Sequence, residues 1–181
     1  MRRIRVSVLV LCEGADTPRV LTVRHPSTGT WSLPGAEVSE GEAIPDAGAL
    51  ALARQTGLVL RLARVLALDH APGGRSGGEP DTLHVVLDGG VVREERARML
   101  VRLPSRTRTL PPVRWASPAE MGEWPGCFGH ALAASARGAP LPVLVNGVSD
   151  VETARTGRRG TCGAPPRNRG PVPRAGRAPG H

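Results

Sequence analysis

The feature that most constrains this chain is one continuous unit between residues 31 and 58. Trp31-Ser32-Leu33 reads as a short strand ending at Pro34-Gly35, Glu37 to Gly41 as a loop, and a helix should run from about Ala43 to Thr56. Pro45 is tolerated in the first helical turn, where its missing N–H has no intrahelical partner to lose. Asp46 suits the positive end of the helix dipole, and Gly57 is a natural helix stop. Gly48 lies inside and weakens an isolated helix by roughly 1 kcal/mol relative to Ala.

Strands flank this unit. Residues 3–12 alternate, with Ile4, Val6, Val8 and Val10 on one face. After a turn from Glu13 to Pro18, Val20 to His25 is a second strand and forms a hairpin with the first. Val59 to Leu68 alternates again, residues 69–81 form a Gly-rich loop, and Thr82 to Asp88 is a strand ending at Gly89-Gly90. Met99 to Leu103 and Val113 to Ala116 are further strand candidates. Ser117-Pro118-Ala119-Glu120 is a helix start with a capping box, and Phe128 to Arg137 fits a helix stopped by Gly138. Strands, helix, strands, helix make the fold class α+β.

The chain divides by composition near residue 147. Residues 1–147 hold one domain whose core rests on Val, Leu and Ala, because the aromatics are only Trp31, Trp115, Trp124 and Phe128. Residues 148–181 are rich in Arg, Gly and Pro, cannot bury enough surface to offset their ordering entropy, and are expected to be a disordered tail. Of the net charge of +8, residues 151–181 carry +6, with seven Arg against Glu152 alone. Such a tail can touch nucleic acid non-specifically through phosphates, but it lacks aromatics for base stacking.

The absence of Lys, with high Gly, Pro and Ala, points to GC-rich coding rather than to function. Cys12, Cys127 and Cys162 are too dispersed for a disulfide framework or a zinc site, so they read as reduced thiols in a cytoplasmic protein. No apolar run has membrane-spanning length. Met1-Arg2-Arg3 before apolar residues is faintly like a signal peptide, but the alternation from Ile4 to Val8 argues for a strand and against a leader.

Residues 35–58 resemble the box of the Nudix hydrolases, G-x5-E-x7-R-E-U-x-E-E-x-G-U, where U is bulky and apolar. Gly41, Glu42, Gly57 and Leu58 match without insertion, Gly35 precedes the first position, and Ala36 stands where its Gly should be. Gly29-Thr30-Trp31-Ser32-Leu33-Pro34-Gly35 resembles the strand leading into the box, and Trp115 to Met121 the late strand and helix. The resemblance covers roughly residues 4–137. It implies the Nudix fold, a mixed β-sheet sandwiched between helices, and metal-dependent hydrolysis of nucleoside-diphosphate-linked compounds.

The metal chemistry implied is that of Mg²⁺ or Mn²⁺, hard cations that take oxygen ligands and help form the attacking hydroxide. Its glutamates sit at i, i+3 and i+4 on one helical face. Here those positions are Ala51, Arg54 and Gln55, and the box Arg is Leu50. No metal set is intact, which predicts weak or absent hydrolysis and a module that binds a nucleotide-like small molecule. Arg54 could hold a phosphate directly or be a solvated surface charge. Arg24 could meet a phosphate, and Trp31 could line a base pocket or pack at the strand end.

The alternative is an active Mg-dependent enzyme using Glu42, the only matching box acid, with Glu37 or Glu40 as substitute ligands. Asp69-His70 could position a ligand or simply begin a polar loop. His25, His70, His84 and His130 lack the i, i+4 spacing of a helical zinc site.

Overall fold

The computed structural model describes residues 2–13, 17–73, 80–102, 110–121, 126–137, 141, 143–145 and 148–149. The tail expected over 148–181 lies outside these from residue 150 onward.

The first strand organises the molecule. β1 (Arg3–Cys12) has five consecutive buried residues, Ser7 among them, so both of its faces are covered. It pairs in parallel with β6 (Thr82–Val92) along nearly its whole length. Its other edge is shared: β2 (Arg19–Arg24) takes Leu11 and Cys12, while β4 (Gly35–Glu37) takes Arg5 to Ser7. β3 (Trp31–Ser32) and β7 (Val113–Ala116) pair with β2. Beyond β6 come β5 (Val65–Ala71), β8 (Val143–Val145) and β9 (Val148–Ser149). The sheet order is β3-β2-β1-β6-β5-β8-β9, with parallel and antiparallel pairs mixed.

The period of two along β1 sorts its side chains onto two cores. Val6, Val8 and Val10 join Val85 and Leu87 beneath α1 (Ile44–Thr56), against its Ala47 and Leu52. Leu9 joins Leu66, Val86 and Leu144 beneath α3 (Gly126–Arg137), against its Cys127, Phe128, Ala131 and Ala134. The sheet is therefore sandwiched between these two helices. Leu52 is fully buried, and burying a leucine side chain contributes about 2 kcal/mol.

Gly48 shows how packing overrides helix propensity. A Cβ there would lie 2.9 Å from Leu87 Cδ1 and 3.2 Å from Val6 Cγ2. Its missing side chain lets α1 lie close on the sheet, which offsets the propensity cost. Gly57 stops the helix as expected, with φ +78° and its N–H bonded to the Ala53 carbonyl at 2.9 Å.

Five local expectations change. Through Arg102, the segment expected as a strand from Met99 to Leu103 belongs to α2 (Glu94–Arg102). Acids in its first turn, the Glu94–Arg98 ion pair at 2.6 Å and buried Ala97 favour the helix. Residues 59–64 form no strand; Leu58 and Leu62 are buried beside α1, and the ladder begins at Val65. Asp69, His70 and Ala71 belong to β5 rather than to a loop, and β6 runs on through Gly89-Gly90 to Val92. The helix expected at Pro118 is a single 3₁₀ turn, Pro118–Met121, where the Glu120 carboxylate accepts from the Ser117 N–H and hydroxyl.

Candidate functional site

Where β2, β3 and β4 leave the edge of β1, the surface opens into a cleft of about 850 Å³. Arg3, Arg5 and Ser7 reach it from β1, Arg24 from β2, Trp31 from β3, Glu37 from β4, and Thr82 and His84 from β6. Alternation along β1 puts Arg3, Arg5 and Ser7 on the same face as Leu9, the face under α3. Phe128 of α3 closes one wall. The lining contains three arginines and one carboxylate, so the cleft favours anions.

Register builds a polar rung across its floor. Glu37 faces Arg5 across β4 and β1, Arg5 faces His84 across β1 and β6, and His84 faces Asp69 across β6 and β5. Partners in register project from the same face of a sheet. Ser7 adds a hydrogen bond, its Oγ lying 2.9 Å from His84 Nε2. The other ring nitrogen of His84 is 3.8 Å from the Cys127 thiol, and its ring meets Phe128 edge-on at 5.4 Å. Burial, reinforced by Arg5 and opposed by Asp69, lowers the His84 pKa to about 4, so the ring is neutral at pH 7. Burial pushes the Cys127 thiol up to about 12, and it stays protonated. Ser7 is not among the residues singled out from the sequence, and His84 is weighed there only as a zinc ligand, because only the strand register brings the two together.

Of the residues that are singled out, Arg24, Trp31, Gly35, Ala36, Glu37 and Gln55 line the cleft. Arg24 is braced by its Nε donating to the Gly29 carbonyl at 3.2 Å. The Trp31 ring carries the Arg114 guanidinium 4.5 Å from its centroid, a cation–π contact that fixes the ring plane. Arg54 is exposed on α1 and is not among the lining residues. Gly41, Gly57 and Leu58 shape the loop and the helix end, with Leu58 buried in the core beneath α1.

The three acids of the loop do not converge. Glu37 pairs with Arg3 at 3.5 Å. The Glu42 carboxylate accepts from the Ser39 N–H at 3.0 Å, while the Glu42 N–H donates to the Ser39 carbonyl at 3.1 Å, closing a turn on itself. Glu40 is exposed. Among the described residues, no three His, Cys, Asp or Glu side chains are grouped to hold a metal ion.

The helix positions are occupied in another way. Ala51 is buried. Gln55 reaches Gly35 with both ends of its amide: Oε1 accepts from the Gly35 N–H at 3.0 Å, and Nε2 donates to the Gly35 carbonyl at 2.9 Å. Gly35 must be small, because a Cβ there would lie 2.2 Å from the Val6 carbonyl oxygen. Gln55 therefore clasps the last turn of α1 to β4, and a carboxylate could make only the accepting half of that clasp.

No protein-family model matches the chain, and no curated protein matches it. Solved structures do match. A NUDIX hydrolase from Nitrosomonas europaea superposes with a TM-score of 0.54 at 18% identity, covering 78% of this chain and 93% of that one. The MutT protein from Methanosarcina mazei gives 0.52 at 19% identity, over 76% and 94% of the two chains. The NUDIX domain of Shewanella oneidensis NrtR, solved in complex with ADP ribose, gives 0.52 at 19% identity, over 76% and 88%. The chain has the Nudix fold. The magnesium that this fold implies does not suit the residues at the helix: Ala51 has no donor atom, Arg54 is a cation, and the Gln55 amide oxygen already accepts from Gly35.

Proposed function

We propose that the chain is a member of the Nudix family that binds a nucleotide-like diphosphate ligand in its cleft, with the family's metal-dependent hydrolysis weak or lost. The observation that carries this reading is the Gln55–Gly35 clasp. It ties up in backbone hydrogen bonds a position where the box has a glutamate, while arginines remain in the cleft beside it. Arg24 and Arg5 supply the charge that attracts phosphate oxygens, and a guanidinium can bind them bidentately without a metal. Trp31, held by Arg114, offers a flat face on which a base can stack. The NrtR domain solved with ADP ribose supports a ligand of this class in such a fold. No helix among the described residues is long and apolar enough to cross a membrane, and a reducing cytoplasmic setting belongs to the same reading.

The test is phosphate release from a panel of nucleoside diphosphate derivatives with Mg²⁺ or Mn²⁺. Wild type is run beside the variant Ala51→Glu/Arg54→Glu/Gln55→Glu. The reading expects no metal-dependent turnover by wild type above background. Metal-dependent turnover that disappears in Glu42→Gln would replace it with the active-enzyme alternative.

A further inference from the structure

The cleft is lined by three exposed arginines, Arg3, Arg5 and Arg24, while its more buried polar groups, Ser7 and His84, are neutral. Arg24 is exposed, whereas Ser7 and His84 pair with each other deeper in the cleft and are backed by the protonated Cys127 thiol. Asp69, 7% exposed, is in register with His84 on the side away from Arg5. A phosphate seated on Ser7 and His84 would meet a neutral ring with buried Asp69 on one side and, on the other, Arg5, whose own register partner is Glu37. Arg24, whose register partner is Trp31 rather than an acid, is the better phosphate partner.

The hydroxyl of Ser7 sets what the floor can hold. It has one donor and two acceptor sites, and the bond to His84 Nε2 uses one of the three. If Ser7 donates to His84, two acceptor sites remain. If it accepts from a protonated Nε2, one acceptor and one donor remain. In either tautomer an acceptor is left over, and in only one is there a donor. A ligand group that brings its own hydroxyl or amine proton satisfies the floor in both states, whereas an acceptor-only phosphate oxygen satisfies it in one.

We infer that Ser7 and His84 form a specificity subsite for the neutral, hydroxyl-bearing part of a diphosphate ligand, such as a ribose, while the phosphates lie toward Arg24. This rests on the proposed binding function of the cleft and names which end of the ligand goes where. It makes Ser7 and His84 recognition residues, responsible for telling a sugar-linked diphosphate from bare diphosphate.

The experiment is calorimetric titration of the full chain with two probes, ADP-ribose and inorganic pyrophosphate. Ser7→Ala removes one oxygen atom and leaves the strand intact; His84→Phe removes both ring nitrogens. Binding sites that hydrogen-bond a hydroxyl lose much of their discrimination when the partner is removed. Ser7→Ala is expected to bind ADP-ribose about 10-fold more weakly and pyrophosphate as wild type does. Arg24→Ala is expected to weaken both probes. Should Ser7→Ala bind ADP-ribose as tightly as wild type, or lose both probes alike, the subsite is wrong even though the cleft binds. Wild type binding neither probe would overturn the cleft reading itself and the subsite with it. His84→Phe is read only if its melting transition stays cooperative, and Ser7→Ala decides the matter without it.

Discussion

The two faces of the central sheet have kept different things. Under α1 the contacts are apolar, from Val6, Val8 and Val10 to Ala47 and Leu52, and the helix turns a buried alanine and an engaged amide toward the places where metal-binding carboxylates would stand. Under α3 the same strands carry a polar rung, Glu37, Arg5, His84 and Asp69, the first three of which line an anion-favouring cleft. The faces meet at Gln55, which belongs to α1 and lines the cleft. Gly41, Gly57 and Leu58, which match the box spacing, shape a loop and a helix end, whereas the positions of its metal-binding glutamates hold Ala51, Arg54 and Gln55.

That contrast can be broken most severely from the α1 side. Leu52→Ala empties a fully buried position and is expected to cost about 3 kcal/mol of unfolding free energy, read by urea denaturation. If the faces are separable, the surviving folded fraction binds ADP-ribose with unchanged affinity. A proportionate loss of affinity would mean that the cleft depends on α1 more closely than the packing indicates.

The α3 face should announce itself through pH. His84 has its folded pKa lowered to about 4 from the ordinary 6.5. Between those values the unfolded chain takes up a proton that the folded chain refuses. Its contribution to stability is therefore fully present above about pH 6.5, falls as pH drops, and levels off below about pH 4. The whole effect is roughly 3 kcal/mol. Melting curves of wild type and His84→Gln across pH 4 to 7 isolate it, and equal slopes in the two proteins would show that His84 is not the buried neutral group described.

A smaller effect sharpens the account of the clasp. Gln55→Glu keeps the acceptor for the Gly35 N–H but replaces the donor to the Gly35 carbonyl with a second oxygen. It is expected to cost about 2 kcal/mol at pH 7, with partial recovery under acid as the carboxyl protonates and can donate. Added Mg²⁺ should not raise its melting temperature. A magnesium-dependent rise would mean that this single change rebuilds a metal site.

Much of the frame was legible in the chain. Alternation revealed β1, and Pro45 and Gly57 bounded α1 to within a residue. Local signals failed where a short apolar run had two readings. Met99, Leu100 and Val101 look like a strand until Glu94, Ala97 and Arg98 are counted with them at helical spacing. Gly89-Gly90 looks like an end, yet β6 continues through it beside an irregularity in β1 between Leu9 and Leu11. The site was less legible than the fold. Arg24 and Trp31 could be nominated because they adjoin a recognisable motif. Ser7 and His84 are 77 residues apart, and nothing near either one in sequence predicts the parallel register that joins them. The role of Gln55 was hidden for a related reason: its partner is the backbone of Gly35, which carries no side-chain signal.

The central claim is that the cleft binds a diphosphate ligand through arginines rather than through a metal. Calorimetric titration of wild type with ADP-ribose, once in EDTA and once in excess Mg²⁺, tests it most directly. The account predicts binding in EDTA, an affinity that Mg²⁺ changes by less than about threefold, and loss of binding in Arg24→Ala. Binding that appears only with Mg²⁺, or turnover of ADP-ribose during the titration, would contradict it.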